Sequence, residues 1–131
     1  MSLRKRILGL VLCAAAVPGF AQAAVTEDSF QLRTVRDLVD LCSASPTEAL
    51  GTAALNFCHG FGLGVYRVLH EGDMARRSGR LFCTPNPEPT RNEAVASFLQ
   101  WAKANPGQLS LSPQDGIAAF LAKQYPCARG K

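Results

Sequence analysis

Residues 45–70, SPTEALGTAALNFCHGFGLGVYRVLH, decide the fold. Ser45-Pro46-Thr47-Glu48 reads as a helix start: a hydroxyl able to cap, proline at the first helical position, and an acid three residues on that can return the bond. Leu50, Ala54, Phe57, Phe61 and Val68 then recur at helical spacing and carry one apolar stripe to about His70. The pattern predicts one long helix, with Gly51 as the point where it would break. Inside it lie Gly60, Gly62 and Gly64, although a helical glycine costs about 1 kcal/mol relative to alanine. Gly60 and Gly64 share a face, which predicts that another backbone approaches there. Tight packing within the domain is the simpler form of that contact, and a dimer interface is the other.

Working outward, the same signals repeat. Thr34-Val35-Arg36-Asp37 opens a shorter helix whose Val35, Leu38, Leu41 and Cys42 fall on one face. Thr90-Arg91-Asn92-Glu93 opens a third, with Val95, Phe98, Leu99 and Ala102 at helical spacing, and Asn105-Pro106-Gly107 stops it. Ser112-Pro113-Gln114-Asp115 opens a fourth, whose Ile117, Phe120 and Leu121 face inward until Tyr125-Pro126 ends it. No run alternates as a strand would. The expectation is an all-α fold, a small disulfide-stabilised helical bundle of about four main helices.

The first 23 residues have a different character. Arg4, Lys5 and Arg6 form a charged start, Ile7 to Val17 an apolar run, and Ala21-Gln22-Ala23 a small-residue end, which together predict a secretory signal cleaved near Ala23. A spanning helix needs roughly 20 apolar residues, and Pro18 and Gly19 interrupt this run. Leu12 before Cys13 is too large for a lipoprotein signal, so Cys13 leaves with the leader. Cleavage removes three of the 14 basic residues and leaves 11 against 10 acids. The near-neutral mature chain gives no electrostatic reason for a nucleic-acid partner or for membrane attachment. Residues 24–131 are enough for one domain with one core.

Cys42, Cys58, Cys83 and Cys127 remain in the mature chain. Outside the cytoplasm they are expected to pair. Four cysteines allow three connectivities. If the third and fourth helices form an antiparallel hairpin, Cys83 and Cys127 fall at one end and their pairing is favoured, which leaves Cys42 with Cys58. An unbroken helix from Pro46 would set Cys58 roughly 18 Å from its start, too far for a bridge. That second pair therefore requires the chain from Ser43 to Gly51 to fold back.

Catalytic chemistry is sparse. No two cysteines lie within four residues, and His59 and His70 are the only histidines, a set that lacks the close-spaced ligands of a zinc site. The same spacing removes a Cys-x-x-Cys redox motif, and Leu55 stands where haem attachment ahead of Cys58-His59 would need a cysteine. Neighbours in a helix point about 100° apart, which disfavours Cys58 and His59 as a nucleophile and base. No convergent acid, base and nucleophile emerges, so neither an enzyme nor a cofactor is expected.

Taken in order, Asp40-Leu41-Cys42, Phe57-Cys58-His59-Gly60-Phe61-Gly62-Leu63-Gly64-Val65, Leu81-Phe82-Cys83-Thr84-Pro85, Asn105-Pro106, and Ala118-Ala119-Phe120-Leu121 leading to Tyr125-Pro126-Cys127 form a recognisable pattern. It resembles the Rap/Tai immunity proteins of type VI secretion over residues 34–127. The resemblance implies a helical, disulfide-stabilised, often dimeric protein of the periplasm, whose partner is an exported peptidoglycan amidase effector that it binds and occludes. The matching positions are mostly structural and leave the inhibitory surface open. The polar segment from His70 to Arg80, with Glu71, Asp73, Arg76, Arg77 and Arg80, is the candidate, because it is rich in charge and tethered next to Cys83; an ordinary solvated connection is the alternative. Trp101 is a second candidate for partner binding, since tryptophan is enriched at interface hot spots, although completing the core is its more ordinary role. A small envelope chaperone, similar in size and export to the HdeA-type acid chaperones, is the rival function; two disulfides favour a rigid binder over it.

Overall fold

The computed structural model describes residues 24–76 and 79–128. The leader, Cys13 and the cleavage region at Ala23 lie outside the described residues, as do Arg77 and the last three positions. Four α-helices follow in order: α1 (Val35–Cys42), α2 (Gly51–Met74), α3 (Arg91–Ala104) and α4 (Pro113–Gln124), with short 3-10 turns at Glu27–Gln31 and Pro106–Gln108. The described residues contain no strand.

Three of the helices start where their local chemistry places them. In α1 the Thr34 hydroxyl accepts from the Asp37 N–H, and the Asp37 carboxylate accepts from the Thr34 N–H at 2.9 Å, so an aspartate completes the box. Thr90 and Glu93 repeat that exchange at α3, with the carboxylate 2.8 Å from the Thr90 nitrogen. In α4 the Ser112 hydroxyl accepts from Asp115 N–H at 3.2 Å, and Pro113 occupies the first turn. Two more free donors of α1 are met from a distance: Val35 N–H donates to the Leu111 carbonyl at 2.9 Å and Arg36 N–H to Leu109 at 3.1 Å. Helix ends leave such groups orphaned unless something answers them.

The long helix departs from expectation at both ends. It begins at Gly51, not Pro46, because residues 46–50 form consecutive turns closed by Glu48 N–H to Ser45 and Gly51 N–H to Glu48, each 3.0 Å. Half of the predicted box survives: Glu48 accepts from Ser45 N–H, while the Ser45 hydroxyl turns to Thr47. This is the fold-back that the Cys42–Cys58 bridge requires. Starting at Gly51 puts Cys58 only about 10 Å along α2, and its Cα lies 5.2 Å from that of Cys42. Cys83 and Cys127 form the second bridge, with Cα atoms 4.8 Å apart and Cys83 N–H donating to the Tyr125 carbonyl at 2.8 Å. The segments entering α3 and leaving α4 are thus joined. At its other end α2 runs past His70 to Met74, so His70, Glu71 and Asp73 are helical.

The glycine expectation is corrected as well. A Cβ at Gly60, Gly62 or Gly64 would meet nothing within 4 Å, so internal close packing does not explain them. Close approach occurs at two other glycines. A Cβ at Gly51 would strike the Ser45 carbonyl, and one at Gly116 would strike the Val35 side chain. The first admits the fold-back; the second seats α4 on α1.

Val35, Leu38 and Leu41 from α1, Ala54 and Cys58 from α2, Phe98, Trp101 and Ala102 from α3, and Ile117, Phe120 and Leu121 from α4 form the core, which Phe82 completes. The Phe120 ring lies 5.6 Å from Phe98, 6.0 Å from Trp101 and 6.1 Å from Tyr125, centroid to centroid. Trp101 is buried, 9 % exposed, stacked on Phe98 and turned inward. Its place is that of a core residue, which leaves it little surface to offer a partner.

Candidate functional site

The end of α2 and the chain that follows it are held together by one buried carboxylate. Asp73, one residue before the helix terminus, is 4 % exposed. Its carboxylate accepts from Leu81 N–H at 2.6 Å and Phe82 N–H at 3.4 Å, and Arg76 Nε stands 3.6 Å away. A carboxylate accepting backbone N–H groups is favoured in its charged form. The Leu81 bond chiefly holds Asp73 below the ordinary carboxylate range, with help from Phe82, Arg76 and Arg80, against the opposing effect of burial. The aspartate ties the two ends of an exposed loop together, and two residues past Leu81 the Cys83–Cys127 bridge fixes the chain again.

Ala75, Arg76, Gly79 and Arg80 are exposed on this loop, and Gly79 takes a left-handed φ of +45°, which glycine adopts without strain. Of the polar residues singled out in the sequence, Arg76 and Arg80 present charge to solvent; Arg77 lies outside the described residues. Glu71 is exposed on the last turns of α2, and His70 is half-buried with its ring 5.6 Å from Tyr66 and 6.3 Å from Phe82. Asp73 faces inward as the staple. That role has no local signature, because its two donors lie eight and nine residues downstream in a segment without periodicity.

The staple carries a pH dependence whose sign follows from its lowered pKa. A folded-state value depressed below the ordinary 3.8 gives stability that is present above that pH and lost as pH falls through the folded value. Asp73→Asn is therefore expected to lower the urea midpoint at neutral pH, with the gap to the parent protein closing at strongly acid pH. Equal midpoints at neutral pH would show that the carboxylate does not hold the loop.

A second surface runs along α2. Phe57, Val68 and Met74 are 38 %, 71 % and 54 % exposed. Gly60, Phe61, Gly64, Val65, Val68 and Leu69 line a shallow apolar groove with Gln114 of α4 at its border. The three unpacked glycines belong to this helix, and no charged side chain lines the groove. Among the described residues no helix is long and apolar enough to cross a membrane, and no group of three or more His, Cys, Asp and Glu comes together to hold a metal.

Comparison with known protein families decides what this four-helix arrangement belongs to: residues 34–127 match the Rap1a immunity proteins. The chain is a member of that family. The match begins at the Thr34 cap and ends at Cys127, so it takes in all four helices and both bridges of this Rap1a protein. No curated protein and no solved structure gave a match.

Proposed function

We propose that this protein is a periplasmic immunity protein that binds a peptidoglycan amidase effector of type VI secretion and occludes its active site, without catalysis of its own. The family match over residues 34–127 carries the reading. Two bridges suit an oxidising compartment, and the leader pattern of residues 1–23 suits export. In this reading the 75–80 loop enters the effector's cleft. Asp73 and Cys83 fix the chain on either side of it before binding, which reduces the ordering entropy that opposes association. Arg76 and Arg80 supply charge at its surface.

The apolar face of α2 is assigned to a second copy of the chain. A two-fold interface brings a patch against itself, and a face without like charges tolerates that. The glycines then let the partner's helix approach closely. The rival chaperone reading rests on the same exposed apolar residues, Phe57, Val68 and Met74.

Arg76→Glu together with Arg80→Glu tests the loop. The double variant is expected to weaken binding to the cognate effector by at least about tenfold, as loss of 1.4 kcal/mol would, while the helical content and the dimeric mass by light scattering stay as in the parent. Unchanged affinity in a folded variant removes the loop from the inhibitory surface, and a monomeric mass in the parent removes the α2 interface.

A further inference from the structure

Between α2, α3 and the strand-free segment that joins them lies a cavity of about 390 Å³, within the range of small-molecule sites. Leu38, Val95, Phe98, Ile117, Phe120 and Leu121 make its apolar lining, and the Cys42–Cys58 bridge forms part of its wall. The space is half open to solvent, so a small molecule can reach it from the surface.

The polar groups of the cavity are directional. Tyr66 donates its hydroxyl proton to Glu88 Oε1 at 3.3 Å, and the Thr84 hydroxyl lies 3.0 Å from the same phenolic oxygen. With the Tyr66 proton committed to Glu88, Thr84 is left to donate to Tyr66. The chain therefore runs from Thr84 through Tyr66 to a carboxylate, and what remains free along it accepts hydrogen bonds. Arg91, exposed on the first turn of α3, also lines the cavity, but it forms no ion pair with Glu88 or any other described residue. His59 on the other side makes no hydrogen bond among the described residues. The Glu88 carboxylate is thus not used up within the protein.

We propose that this cavity binds a small molecule with an apolar body and a protonated amine, the body on Phe98, Ile117 and Leu121 and the ammonium on Glu88 with Tyr66 and Thr84. An ammonium meeting a carboxylate makes a charge-assisted hydrogen bond. A carboxylate headgroup would meet Glu88 with like charge, and Arg91, the cation that could offset it, is exposed and its side chain is hydrogen-bonded to none of the groups that line the cavity. The site is separate from both the 75–80 loop and the exposed face of α2, and the proposal stands whether or not the effector reading does.

The test uses the mature, oxidised protein at neutral pH with 4-phenylbutylamine, and with 4-phenylbutanoate and 4-phenylbutanol as probes of the same shape. Saturable binding of the amine is expected, with methyl resonances of Leu38, Val95, Ile117 and Leu121 shifting together and the carboxylate binding at least tenfold more weakly. Glu88→Gln, at an exposed position, is expected to remove the preference for the amine. Equal affinity for amine and carboxylate would overturn the proposal. So would an absence of saturation, or shifts confined to the surface around Phe57 and Val68.

Discussion

Replacing Cys83 and Cys127 together by alanine is expected to lower the stability of the mature protein by about 4 kcal/mol. The bridge spans a sequence separation of 44 and encloses the whole of α3 and α4. Without it the denatured chain regains the loop entropy that closure removes. The same arithmetic gives about 3 kcal/mol for Cys42 and Cys58, whose separation is 16. Urea unfolding of the two paired variants measures both losses. A smaller loss at the longer loop would mean that loop closure does not rank the bridges and that native contacts around each pair dominate. Since natural domains are stable by only about 5–15 kcal/mol, losing both bridges would bring this one near unfolding, which fits a protein that matures where thiols oxidise.

Phe120→Ala is expected to cost about 3–5 kcal/mol. The ring is 4 % exposed and sits among Phe98, Trp101 and Tyr125, so its removal withdraws contacts from three aromatic neighbours at once. It also lines the cavity beside α3, and truncation would enlarge a space that the core already leaves open. Gln100→Ala, at an exposed position of α3, supplies the comparison and is expected to change stability by no more than about 0.5 kcal/mol. Denaturant midpoints of the two variants, read against the parent, decide between a core centred on Phe120 and one that repacks around its loss.

Three helix starts were legible because their signals are local. Thr34 with Asp37, Thr90 with Glu93, and Ser112 with Asp115 each complete their exchange within four residues. At α2 the local signal misleads, although Ser45 to Glu48 offer a box with proline at the first helical position. There a longer-range constraint wins: Cys58 must reach Cys42, so the chain turns back and the helix waits for Gly51, where the backbone can pass the Ser45 carbonyl. The bridge calls for a fold-back over Ser43 to Gly51 and Gly51 is the residue at which the pattern can break, so these two signals together point to the start that the capping residues miss. The glycines show the opposite failure. Spacing put Gly60 and Gly64 on one face correctly, yet spacing does not say whether that face looks inward.

The surface was harder to read than the core. Arg76 and Arg80 were identifiable as exposed charge, but Asp73 looked like their equal until its carboxylate was seen holding Leu81 and Phe82. The group formed by Tyr66, Thr84 and Glu88 spans sequence separations of 18 and 22 and has no periodic signature. Such constellations depend on how α2 lies against the chain that follows it, and that is a property of the packed molecule.

The central claim is tested most directly by titrating a cognate amidase effector with the mature, oxidised protein while following hydrolysis of peptidoglycan peptides. The account predicts that activity falls to zero at a stoichiometric end point and that the complex persists through size-exclusion chromatography. Full activity in the presence of excess protein, with unrelated envelope proteins bound instead as pH falls, would contradict it and leave the exposed face of α2 as the surface of a chaperone.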